Sequence, residues 1–265
     1  MKKRYRLILI VFVLTMSLAV SQVYAEDGKE DKVAVSLAQE NWDGKIVQYG
    51  TMHEAIGQKQ YEGRVSLDEV VNKPHFYGVA ALEKLKGEAT FSDSGATITV
   101  VTADGGLNSI KEKQIQATLL AGAYVSFWSE HKIEKDTPPS ELDNLIRNKA
   151  VESGFDVSKP FVFTLDGEFS EVKLHVINGE CPMHARLRKI EIPKESKPFE
   201  GEYTRISGKV IGIYASNAVG ILTHPDTSTH LHLIFKDEVS GEMVTGHVEQ
   251  LGLVSGVILK LPLKS

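Results

Sequence analysis

The sequence predicts an α+β fold dominated by β structure: two tightly packed halves, each a mixed or antiparallel β-sheet, with a few helices. Three observations point there. Most apolar segments are short and rich in β-branched and aromatic residues, as in ATITVV, FVFTL and THLHLIF. Gly- and Asp-containing turn signals separate them. Only one segment, near residue 145, keeps a helical period over several turns.

The elements follow in order. MKKRYR is basic, LILIVFVLTMSLAV is apolar, and VYA offers small residues before Glu26, so residues 1–25 read as a secretory signal peptide cut after Ala25. Secretion or a periplasmic location follows as the expectation. Residues 26–45 lack periodicity and read as an N-terminal arm. Residues 46–265 read as one domain, in approximate halves 46–135 and 136–265.

Core-like sequence begins at KIVQYGTMHEAI. Ser66 opens a short capped helix that Lys73-Pro74 ends. EATFSDSGATITVV reads as a hairpin about a Ser-Asp-Ser-Gly turn, and AGAYVSFWSEHKIE as one more strand. PPSELDNLIRNKAVESG is the clearest helix. Ser140 is its expected cap, Leu142, Leu145, Ile146 and Ala150 form its apolar stripe, and Gly154 closes it. FVFTLDGEFSEVKLHVI reads as two strands either side of an Asp166-Gly167 turn. YTRISGKVIGIYAS, VGILTH, STHLHLIF, MVTGHVEQLGLV and GVILKLPL complete a strand-rich second half.

Charge and cysteine content narrow the function classes. The formal net charge is −5, and loss of the leader removes four basic residues and no acids. Such a chain has no general attraction for nucleic acid, nor for an anionic membrane once the leader is gone. Its single cysteine, Cys181, allows no internal disulfide. In ECPMH it reads as a ligand with His184 or as a buried, idle thiol.

The chemistry lies in three histidines. His230 and His232 are two apart in a strand, so their rings share a face, while Leu231 and Leu233 take the other. KDEVSGEM turns the chain, and MVTGHV returns antiparallel to bring His247 beside the pair. Three imidazole ligands leave coordination positions open, as catalytic zinc sites do. Iron, copper or nickel would also accept them. The alternative is a set of surface histidines on a polar sheet face. Glu249 falls on the His247 side, as a fourth ligand or as an exposed carboxylate. His224 is a further candidate, and His53, His75 and His131 have no assigned role. A cupin arrangement is disfavoured because His247 follows too soon.

YGTMHEAIGQKQYEGRVSLDEVV, GVAALEKLKGEATF, FTLDGEFSEVKLHV, STHLHLIF, TGHV and ILKLPL occur in that order. Together they resemble the α-acetolactate decarboxylase family from Ile46 to about Pro262. The resemblance implies two joined β-rich halves, a homodimer and zinc held by His230, His232 and His247. It also implies a 2-hydroxy-3-oxo acid substrate, 2-acetolactate, converted to acetoin and carbon dioxide. KGE matches a family Asp-Gly-Glu, which makes Glu88 the catalytic acid; taken alone, Glu88 reads as a solvated turn residue. The zinc would stabilise the developing enediolate as a Lewis acid while Glu88 supplies its proton. A family arginine falls on Thr164 and a second basic position on His175, with Arg186 and Arg188 as nearby substitutes. The family pattern continues past the Leu-x-Leu-Pro strand to an acidic residue, for which Glu249 is the substitute here. The insert between His232 and His247 is a few residues longer than the family's. These departures keep open a second reading, an exported metal-binding protein of this fold that takes another ligand or has changed its chemistry.

Overall fold

The computed structural model describes residues 42–264, apart from 94, 112 and 113. The leader and nearly all of the arm lie outside the described residues. Where the arm enters them it is anchored. The Trp42 amide donates to the Leu263 carbonyl, and the Trp42 ring stacks on Phe155 with centroids 5.9 Å apart.

The first sheet holds β1 (Val47–Tyr49), β2 (Val65–Ser66), β3 (Phe76–Leu82), β4 (Glu88–Ser92), β5 (Gly95–Val101), β6 (Leu107–Ile110) and β7 (Gln116–Tyr124). A short helix, α1 (Leu67–Val71), follows β2. The order is β1-β7-β3-β4-β5-β6, with β2 also on β7, and every pairing is antiparallel. β3 is buried along its whole length because both faces meet apolar partners. Tyr77 and Val79 join the large inter-sheet core, while Phe76, Ala80 and Leu82 face a second cluster with Leu67 and Val70 of the α1 helix.

The second sheet holds β8 (Trp128–Lys132), β9 (Phe161–Val176), β10 (Phe199–Tyr214), β11 (Thr229–Lys236), β12 (Met243–Leu253) and β13 (Ile258–Pro262). Two helices lie between its strands, α2 (Leu142–Glu152) and α3 (Pro182–Arg188). Its pairings run β10-β11-β12-β9, and β9 returns to β10, so these four strands close into a ring. Phe161, Phe163, Phe169 and Phe235 fill the core, each essentially inaccessible.

The strand-dominated α+β class and two antiparallel sheets are as the sequence predicts. Several elements differ. AGAYVSFWSEHKIE is two strands, not one: β7 ends at Tyr124, and β8 has already crossed to the second sheet. Asp166-Gly167 is no reversal, because β9 runs straight through it with Gly167 opposite Gly208 of β10. VGILTH is a turn closed by Ala218 and Thr223, not a strand. Ser140 does not cap α2; it sits in a 3-10 turn, Pro139–Glu141, ahead of the helix. Gly154, at φ +78°, does close it.

Candidate metal centre

The hairpin of β11 and β12 builds the centre. Register pairing sets His232 directly opposite His247, and His247 in turn opposite His175 on β9. A loop after Lys236 joins the two strands. There the Gly241 amide donates to the Asp237 carbonyl, and the Ser240 amide and hydroxyl bind the Asp237 carboxylate. At the other end, Asp143 of α2 accepts from the Ser228 amide and the Thr229 hydroxyl, pinning the chain just before His230. Gly246 is needed at its place. A Cβ there would lie 2.9 Å from the His175 carbonyl oxygen, so the close β12–β9 approach beside His247 requires its absence.

His230, His232 and His247 come together, each offering one nitrogen within 4.8 Å of the others. All three are buried, so the surface-histidine alternative fails: β11 is covered on both faces. Burial holds the His230 imidazole down at about 3, helped by His224 and opposed by the Leu222 backbone. It holds His232 and His247 well below the usual histidine range, with the neighbouring rings adding to the effect. Neutral imidazole is the form that binds metal. His230 Nδ1 is buried with no hydrogen-bond partner among the described residues. An orphaned buried nitrogen is costly, and a cation would satisfy it. The donor set therefore fits a divalent metal ion.

Glu88 opens β4 in the first sheet, and its Oε2 lies 3.7 Å from His232 Nε2. It is 3 % exposed, not a solvated turn residue. Burial pushes its carboxyl well above the ordinary range, against a small opposing effect of the Ile177 backbone. Both partners of the Glu88–His232 contact are thus shifted towards their neutral forms.

One pocket contains all four residues. Its remaining walls are His175, His224 and Cys181, together with an apolar set that includes Met52, Ile56, Leu119 and Ile177. Met52, Ile56 and His224 also line an adjoining, more open groove of about 430 Å³, which gives the centre a mouth.

Other sequence candidates settle as follows. Cys181 is buried in the pocket wall with its thiol pushed up to about 11 by desolvation, and it is not one of the clustered ligands. Thr164 is buried with an unpartnered hydroxyl and is not among the pocket's lining residues. Glu249 is neither an exposed carboxylate nor a member of the ligand cluster: its Oε1 lies 2.7 Å from His175 Nδ1, and Arg186 clasps it from outside. Arg186 also binds Glu200 and remains half exposed. His175 and His224 were undervalued by sequence. Alternation with exposed Lys173 puts His175 on an outward face, yet the pocket closes over it, with its ring 4.8 Å from that of His247. His224 sits on the turn before β11, 5.1 Å from His247 between ring centroids, with burial holding it down to about 4.

The sequence matches the family model described as alpha-acetolactate decarboxylase over residues 46–261. The chain belongs to the alpha-acetolactate decarboxylase family. Solved structures share its fold. The alpha-acetolactate decarboxylase of Bacillus subtilis strain 168 aligns with a TM-score of 0.59 at 18 % identity, covering 82 % of this chain and 85 % of that one. The acetolactate decarboxylase of Bacillus subtilis subspecies spizizenii gives 0.61 at 19 %, covering 82 % and 86 %. A Staphylococcus aureus protein of unknown function, similar to alpha-acetolactate decarboxylase, gives 0.58 at 15 %, covering 82 % and 85 %. At these identities the likeness is one of fold. Comparison with curated proteins gives no match. Among the described residues, no helix is long and apolar enough to cross a membrane.

Proposed function

We propose that the chain is an exported, zinc-dependent decarboxylase that converts 2-acetolactate to acetoin and carbon dioxide. Family membership supports the reaction class, and the leader-like residues 1–25 support export. The observation that carries the reading is the buried Glu88 carboxyl facing His232 across the pocket. His230, His232 and His247 would hold the zinc. When bound, it supplies Lewis acidity for electron density gathering on substrate oxygen.

The chain's own groups do the rest. The apolar wall of Met52, Ala55, Ile56, Leu119 and Ile177 excludes water from the reacting carbon. Carbon dioxide departs with cleavage of the carboxyl C–C bond, and the electron pair left behind moves into the neighbouring ketone. Glu88, kept protonated by burial, then delivers its proton to that carbon from one side. Glu249 fixes the His175 ring, which forms the wall beside His247.

A second reading rests on one observation. Among the described residues, no Arg or Lys lines the pocket, and Arg188 lines only the adjoining groove, so a substrate carboxylate inside the pocket would have no permanent cation beside it. A ligand without a carboxylate, or a different reaction, suits that wall.

One assay separates the two. Zinc-loaded protein is incubated with racemic acetolactate, and acetoin is measured against the spontaneous background. The decarboxylase reading expects turnover that falls about 10²–10⁴-fold in Glu88→Gln. No acetoin above background rejects it in favour of the second reading.

A further inference from the structure

The strand that carries Glu88 addresses both nitrogens of one imidazole. Glu88 and Thr90 are two apart on β4, so they face the same way. Glu88 Oε2 lies 3.7 Å from His232 Nε2, and Thr90 Oγ1 lies 3.1 Å from His232 Nδ1. Thr90 Oγ1 is also 2.5 Å from Thr245 Oγ1 on β12, and the Thr245 hydroxyl donates to the Leu233 carbonyl at 3.1 Å.

The direction of this chain of hydrogen bonds follows from its far end. A carbonyl only accepts, and a hydroxyl has one proton. With its proton on the Leu233 carbonyl, Thr245 Oγ1 must accept from Thr90. Thr90, having given its proton away, must accept from His232 Nδ1. The reverse order would strip the Leu233 carbonyl of this donor.

We infer that Thr90 and Thr245 are positioning residues: their hydroxyl relay fixes the proton of His232 on Nδ1 and so leaves the single lone pair of Nε2 free for the metal, on the side of the ring that Glu88 approaches. All three groups are buried, so no water competes for the arrangement. The relay spans the sheets, with Thr90 in the first and His232 and Thr245 in the second. It acts as an outer shell, setting the tautomer and ring angle of a ligand before any ion arrives. The inference rests on the triad being a metal site, and its first test does not need the metal.

Nitrogen-15 NMR of histidine-labelled, metal-free protein reads the tautomer directly. His232 is expected to be protonated at Nδ1 and bare at Nε2; the opposite assignment overturns the relay while leaving the metal reading intact. Zinc affinity by chelator competition gives the second readout. Thr90→Val should weaken binding about 10–100-fold, and Thr90→Ser, which keeps the hydroxyl, should restore it. Leu107→Ala serves as the packing control, since Leu107 joins the inter-sheet core from β6 and is not part of the relay. It should lower the melting temperature and leave zinc affinity unchanged. An equal loss of affinity in Leu107→Ala and Thr90→Val would assign the effect to sheet packing and sink the proposal. A native protein that binds no zinc would instead remove the metal reading itself.

Discussion

Glu88 Oε2 stands 3.7 Å from His232 Nε2, and the two side chains come from different sheets. Neither group is charged by preference at that place, since burial raises the carboxyl and lowers the imidazole. A cation on the imidazoles would oppose part of the rise at the carboxyl, so it is burial that must keep the proton on Glu88.

Removing any one of the three clustered histidines should abolish stoichiometric metal. His230→Ala and His247→Ala are expected to purify with little zinc by elemental analysis. Their affinity should fall further than the about 10–100-fold typical of losing an outer partner. Either variant retaining one equivalent of zinc at native affinity would exclude that residue as a ligand.

Metal-free protein should lose stability towards acid. His230, His232 and His247 have folded-state values below the ordinary 6.5, so the unfolded chain takes up protons that the folded one refuses. Their contribution is complete above pH 6.5 and declines as the pH falls towards the folded values, about 3 for His230. Glu88 has the opposite slope. Its folded value is raised above 4.5, so it costs stability increasingly as the pH climbs above 4.5 towards that value. Glu88→Gln should therefore stabilise the metal-free protein at neutral pH and leave the acid limb in place. Denaturant titrations at pH 4, 5, 6 and 7 would show both slopes, and an acid limb identical in the His247→Ala variant would contradict the account.

Loss of Glu249 should cost more than loss of Arg186. Glu249→Ala strands the buried His175 Nδ1, worth about 1–3 kcal/mol. Arg186 is half exposed and its ion pairs face solvent, so Arg186→Ala should stay within about 1 kcal/mol. Equal destabilisation of the two variants in urea would show that the Arg186 clasp, not the His175 contact, is what matters.

Gly246→Ala tests why a glycine precedes His247. The added methyl meets the His175 carbonyl oxygen at 2.9 Å and Leu174 Cδ1 at 3.1 Å. The strands must part, at about 1–3 kcal/mol. The variant is expected to be destabilised and to bind zinc more weakly, because His247 moves with β12. A native melting temperature would show that β12 and β9 are less tightly apposed than described.

Much of the site was legible because it follows from strand parity. The His-x-His spacing placed two rings on one face, and a polar, Gly-containing segment returned the third beside them. Glu88 was reached only through family resemblance, since local sequence reads it as a turn residue; its burial comes from the second sheet packing on β4. His175, His224 and Thr90 were undervalued or missed for the same reason, as each becomes part of the site through long-range packing. Asp166-Gly167 misled in the other direction. Turn chemistry suggested a reversal, but continuous pairing of β9 with β10 overrode it. The Ser140 cap failed because the 3-10 turn carries it one step ahead of the helix start.

The division of labour between the sheets has an evolutionary corollary. One sheet carries the three histidines that would hold an ion, and the other carries the buried carboxyl proposed to handle protons. On this construction, exchanging a single side chain at position 88 would re-specify the reaction while leaving the ion's holder untouched. Members of such a lineage could drift among chemistries without first giving up their metal.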